Sequence, residues 1–109
     1  MASRGEVILV PFPFTDLSTT QVRPAVVVST DVYNVDTGDV ICAMVTSQRH
    51  NLATDYELQD WHEAGLLFRS WGRAKIVSVE QSIIQHTIGR LSDRDLSEVD
   101  VRLRIAVGL

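Results

Sequence analysis

Three unbroken apolar runs stand out along the chain: Val7-Ile8-Leu9-Val10, Ala25-Val26-Val27-Val28 and Val40-Ile41-Cys42-Ala43-Met44-Val45. None alternates with polar residues, so each predicts a strand buried on both faces, over roughly 6–12, 24–29 and 40–46. Proline cannot donate to a central ladder, which places Pro11 and Pro13 at the end of the first strand and Pro24 at the start of the second. Residues 13–22 then form a loop, and 31–38 a turn-rich connection. Residues 55–58 alternate weakly and predict a short half-exposed strand; 61–64 predict a single helical turn. Residues 73–79 are β-branched, with Ala74, Ile76 and Ser78 on one face and Lys75, Val77 and Val79 on the other. Residues 82–88 read as a further strand or a bend, broken by Gly89. Ser92 opens a terminal helix. Ser92-x-x-Asp95 has the form of a capping box, and Leu96, Val99, Leu103 and Ala106, with Val107 beside them, recur at helical spacing as a core-facing stripe. Arg102 and Arg104 fall in its second half, where positive charge suits the helix dipole. The sum is a mainly β fold: a small, strongly bent barrel of five to seven strands with a C-terminal α-helix.

Length and charge narrow this picture. The chain has 109 residues, which fits one domain spanning 1–109. A domain of this size buries only about two-thirds of the surface its unfolded chain exposes, so a subunit interface would add stability. No apolar run approaches the length of a membrane span, and the N-terminal residues lack the pattern of a signal peptide. Cys42 is the single cysteine and lies inside an apolar run, which predicts a buried structural thiol and a reducing, cytoplasmic setting. The net charge of −4 argues against a general polyanion binder, but its distribution does not forbid a local positive groove. Residues 31–63 hold seven acids and one base, whereas residues 64–109 hold seven bases and five acids. Steering follows the local field rather than the total.

The residues carrying chemistry cluster early. Arg23 is fixed at the mouth of a buried strand, facing a loop able to close over it, which is how an anion site is built. Its plain alternative is an ion pair with Glu6 or Asp16 at the strand end. Phe12 and Phe14 offer stacking surfaces for bases, with core packing the favoured reading for Phe12. Thr15, Asp16, Thr19 and Gln21 offer hydrogen bonds to base edges, although turns use the same residue types. Trp61 and Trp71 read as core or dimer packing; Arg73 and Lys75 offer phosphate contacts or are simply solvated. His50 is a candidate general base because histidine titrates near neutrality; His62 and His86 are weaker candidates, and His86 reads as a surface residue. No His, Cys, Asp or Glu spacing suggests a metal site.

Gly5-Glu6-Val7-Ile8-Leu9-Val10, Phe12-Pro13-Phe14-Thr15-Asp16 and Arg23-Pro24-Ala25-Val26-Val27-Val28-Ser29 together resemble the MazF/PemK family, the toxins of type II toxin–antitoxin modules. Val40–Ser47 is similar to that family's third-strand motif, and Ile88-Gly89-Arg90-Leu91-Ser92 before a terminal helix also fits. The resemblance implies an SH3-like or plasmid-toxin barrel, a homodimer, and a sequence-specific endoribonuclease that cuts single-stranded RNA without metal or other cofactor. It implies an antitoxin partner with a disordered acidic tail. It places the catalytic positions at Arg23 and Thr46, with Ser47 adjacent. The RNA-binding residues are expected, from the residue types themselves, at Phe14, Thr15, Gln21, Ser47, Gln48 and Arg49. Some members carry a glutamate in the first loop; here Ser18-Thr19-Thr20-Gln21-Val22 has no carboxylate, which leaves the general base open. Two rival readings share the fold. One is a non-catalytic binder of RNA or of a partner. The other is a protein-binding toxin like the CcdB gyrase poisons, whose tryptophan-glycine-isoleucine tail is replaced here by Ala106-Val107-Gly108-Leu109.

Overall fold

A computed structural model describes residues 1–12 and 21–109, Phe12 by its backbone only. Six strands form one antiparallel sheet: β1 (Glu6–Phe12), β2 (Gln21–Val27), β3 (Asp39–Thr46), β4 (Tyr56–Glu57), β5 (Trp71–Glu80) and β6 (His86–Arg90), in the order β4-β5-β3-β2-β1-β6. The sheet curls into a half-barrel; its two end strands, β4 and β6, do not pair among the described residues. Among the described residues, two α-helices, α1 (Asp31–Thr37) and α2 (Asp93–Val107), and a single 3-10 turn (Gln81–Ile83) complete the fold.

The apolar runs behave as their lack of alternation demands. Ile8, Val10, Ala25, Val27, Cys42 and Met44 enter one core. Their alternate neighbours Val7, Val26, Ala43 and Val45 enter a second core, shared with Leu58, Ala64, Leu66, Leu91 and Val99. Successive side chains point to opposite faces of a strand, so a continuous apolar run fills both. Burial pushes the Cys42 thiol up to about 12, as a structural thiol requires.

Several elements differ from expectation. The 31–38 segment is a helix, not a run of turns. The Thr30 hydroxyl accepts the Tyr33 N–H at 3.3 Å, and Gly38 closes the C-terminus at φ 74°. Buried Asn34 anchors it by donating to the Ala2 carbonyl. β2 begins three residues earlier than Pro24, because Gln21 and Val22 continue the ladder with Phe12 and Pro11 of β1. Pro24 thus sits within β2, but β3 pairs with β2 only from Ala25 onward, so the proline stands where β2 is free on that side. The 61–64 turn is a series of turns without a helix. In the capping box, Ser92 Oγ accepts the Asp95 N–H at 3.3 Å as expected. The Asp95 carboxylate, however, faces inward. It accepts Tyr56 O–H and the Gln59 and Asp60 N–H groups at 2.8–3.0 Å, tying the helix start to the segment after β4. On α2, Val99 is buried and Leu96 and Leu103 are partly buried, but Ala106 and Val107 are exposed. The helix packs chiefly on β4 and β5.

Candidate active site

Arg23 and Thr46 come together because β2 and β3 part company. Their ladder stops at the Ala25–Met44 pair. Beyond it Arg23 stays with β1, opposite Val10, while Thr46 stays with β5, opposite Trp71. The divergence opens a cavity of about 420 Å³. Its floor and one side are Arg23, Pro24, Thr46, Ser47 and Gln48 from the strand ends; the opposite wall is Gly65–Phe68, from the segment after β4.

That wall is fixed by two glycines. A Cβ on Gly65 would lie 2.0 Å from the Ile88 carbonyl oxygen, and one on Gly89 would lie 2.1 Å from that of Ala64. The two backbones therefore touch in a way that only glycine allows, at Gly65 also with φ +86°. On the β6 side the contact falls at an irregularity: Val7 pairs with Gly89 but Ile8 with Thr87, leaving Ile88 as an extra residue.

Arg23 is exposed, and its Nη2 donates to Gln21 Oε1 at 2.7 Å. Gln21 thus orients the guanidinium and leaves its other donors to the cavity. No ion pair to Arg23 is found among the described residues; Glu6 instead accepts the Ser3 N–H. Asp16 lies outside the described residues. Thr46 Oγ1 accepts the Gln48 N–H at 3.1 Å. Its own hydroxyl proton has no acceptor among the described residues, so it is available to an incoming oxygen. A guanidinium and a hydroxyl donor facing one cavity make a site for a tetrahedral oxyanion.

Residues 3–107 match the family of PemK-like, MazF-like toxins of type II toxin–antitoxin systems. The chain belongs to this family. Solved structures agree on the fold. An endoribonuclease from a mycobacterial species, in complex with its cognate antitoxin, has a TM-score of 0.81 at 20% identity, covering 100% of this chain and 97% of that one. MazF from Deinococcus radiodurans gives 0.79 at 23%, covering 99% and 97%. The Mycobacterium tuberculosis toxin MazF-mt6 gives 0.76 at 17%, covering 95% and 97%. No curated protein matches the sequence significantly.

In this MazF/PemK-family chain, Arg23, Thr46, Ser47 and Gln48 share one cavity. Gln21 reaches it through Arg23. Arg49 is exposed but does not line it. Phe14 and Thr15, expected at the RNA, lie outside the described residues. His50 lines an adjoining cavity with Arg23 and Thr46, whereas His62 sits edge-on to Trp61 and His86 is exposed on β6. Trp61 packs on the second core, and Trp71 lies under the Arg69 guanidinium. Among the described residues, no three of His, Cys, Asp and Glu gather as a metal site, and no helix is long and apolar enough to cross a membrane. Sequence reasoning missed the Gly65–Phe68 wall, where Leu67 is 83% and Phe68 66% exposed. An apolar Leu66-Leu67-Phe68 run directly after a glycine was its only signal.

Proposed function

We propose that this chain is the toxin of a type II toxin–antitoxin pair and acts as an endoribonuclease on single-stranded RNA, in the cytoplasm. The observation that carries this reading is the placement of Arg23 and Thr46 on one open cavity, from strands that separate at that point. The neighbouring folds whose own descriptions are of endoribonucleases and antitoxin complexes support it.

In the proposed reaction the substrate's own 2′-hydroxyl is the nucleophile. The bond from O2′ to phosphorus forms and the bond to O5′ breaks, leaving a 2′,3′-cyclic phosphate and a free 5′-hydroxyl. The 2′-hydroxyl proton goes to a base and O5′ gains one. Arg23 neutralises the charge gathering on the phosphoryl oxygens, a role suited to a planar, permanently charged fork. Thr46 donates to a phosphoryl oxygen and positions it. His50, which lines the adjoining cavity, is proposed as the group that exchanges protons. Because the guanidinium supplies charge stabilisation, the reaction is proposed to need no metal. Ser47 and Gln48 line the path of the neighbouring nucleotides. Gln21 sets the arginine, and Phe14, Thr15 and Arg49 are proposed as further RNA contacts. The antitoxin is proposed to carry a disordered acidic tail that competes for the same cation, and the toxin to act as a homodimer.

The test is incubation with several long single-stranded RNAs in EDTA. Cleavage is expected from the unsubstituted chain and loss of about 100- to 1000-fold in rate from Thr46→Ala, with at least as large a loss from Arg23→Ala. Equal cleavage by the unsubstituted protein and Arg23→Ala, or none by either, would overturn the reading. Growth arrest on induction that persists in both variants would favour the non-catalytic toxin instead.

A further inference from the structure

β5 does not run straight past β3. Ala43 pairs with Ile76 and Val45 with Gly72, so Arg73, Ala74 and Lys75 stand opposite Met44 alone. Such a bulge bends the strand and re-aims its side chains. Arg73 and Lys75 both face a cavity of about 270 Å³ that they share with Arg23, Thr46, Gln48 and His50. This cavity adjoins the larger one: Arg23, Val45, Thr46 and Gln48 line both.

Behind Arg73 lies Asp55, whose side chain is only 6% exposed. Arg73 Nε stands 3.5 Å from its Oδ1, and among the described residues neither carboxylate oxygen accepts a hydrogen bond. A buried carboxylate without donors is tolerated only beside a cation. The pair differs from the other arginine–carboxylate pairs of this protein. Arg69 holds Glu57 through two hydrogen bonds of 2.7 and 2.8 Å, and Arg94 holds Asp60 in the same way. Those forks are closed on their partners. Arg73 makes no hydrogen bond among the described residues; its Nε is buried against Asp55 and held there by charge, so its Nη groups are the donors left for a planar or tetrahedral anion.

We propose that Arg73, seated on the buried Asp55 carboxylate, is a second phosphate-binding residue, holding the phosphodiester next to the scissile one. The toxin then grips the RNA strand at two neighbouring phosphates, Arg23 at the bond to be cut and Arg73 beside it. This rests on the ribonuclease reading above. Asp55 is a positioning residue: it fixes the guanidinium without occupying its donors.

The test couples protein charge to substrate charge. Short RNAs carrying one cleavable site are made with the phosphate on either side replaced, in turn, by an uncharged methylphosphonate. Removing Arg73 alone strands a buried carboxylate, so the main variant is the neutral pair Asp55→Asn with Arg73→Gln, and folding is checked by thermal melting. On the all-phosphate RNA this variant is expected to lose roughly tenfold in kcat/KM, mostly through KM. The unsubstituted protein should lose a similar factor when one flanking phosphate is neutralised, and the two changes together should cost little more than either alone. Asp55→Asn by itself, which keeps the arginine, should retain the sensitivity to that phosphate. Losses that multiply for both flanking phosphates would overturn the proposal while leaving the ribonuclease reading intact. An absence of any cleavage by the unsubstituted protein would overturn both. A site that ignores flanking phosphates, but from which an acidic peptide competes only when Arg73 is present, would assign Arg73 to a protein carboxylate and overturn the RNA proposal.

Discussion

At the scale of single residues, close partners can set how a charged group behaves. Asp60 shows the consequence for pH. Arg94 and then the Ser92 hydroxyl bond to its carboxylate and hold it down to about 2, and the same contact pushes the Arg94 guanidinium up. Asp60 therefore ionises more readily in the folded chain than in the unfolded one. Its contribution to stability is complete above the ordinary carboxylate value of 3.8 and is lost as pH falls from there to about 2. Thermal melts between pH 7 and pH 2 should show the unsubstituted chain losing stability more steeply below pH 4 than Asp60→Asn. Parallel curves for the two proteins would show that the Arg94–Asp60 contact adds nothing. Arg23 follows a different rule: it is held by the uncharged Gln21, and a cation oriented by a neutral amide has its charge uncompensated for a ligand.

At the scale of elements, the site exists because strands end, bulge and touch at particular places. Thr46 ends both an apolar run and β3 itself, as the sequence predicts, whereas Arg23 lies inside β2, which runs on to Gln21. The rest was written in contacts between segments distant along the chain. The β5 bulge is visible only in the pairing with β3, and α1 only in the capping of seven residues by Thr30 and Gly38 with Asn34 bound to Ala2. The sequence marks Asp95 as part of a cap, but its inward carboxylate depends on Tyr56 and the 59–60 backbone. The Gly65–Phe68 wall depends on the crossing of Gly65 and Gly89, which no local pattern announces. Gly89→Ala tests that crossing. Its Cβ would meet the Ala64 carbonyl oxygen at 2.1 Å, so one backbone must move. We expect a cost of about 2 kcal/mol or more and a fall in Tm of roughly 8 °C or more. The wall would shift with it, so cleavage should weaken even where the variant is fully folded. Gly38→Ala is the control: at φ 74° and with nothing within 4 Å of the new Cβ, it should cost only about 1 kcal/mol and leave cleavage unchanged.

At the scale of the whole molecule, the two cores are unequal in how they are covered. One is enclosed by the curl of the sheet. The other is roofed by α2, but only as far as Leu103. Beyond it Ile105 is 62%, Val107 53% and Leu109 93% exposed, and Val101 on the preceding turn is 39% exposed. Val101 and Ile105 are four residues apart and so share one helix face, while Leu109 lies beyond the Gly108 cap that ends the helix. A chain this small gains little from its own core, and an apolar helix face left in water marks an interaction surface. A second copy of the chain is the occupant consistent with the proposed homodimer. Sedimentation across a concentration series should show a monomer–dimer equilibrium, and Ile105→Lys should shift it to monomer while leaving the melting of the fold nearly unchanged at low concentration. A charge on a buried dimer face costs several-fold more than the same charge in water, so the dissociation constant should rise at least about tenfold. Dimers that survive Ile105→Lys with unaltered affinity would place the interface elsewhere on the sheet. A protein that remains monomeric at every concentration would mean that the cavity between β2 and β3 must bind and cleave RNA with one copy's residues alone.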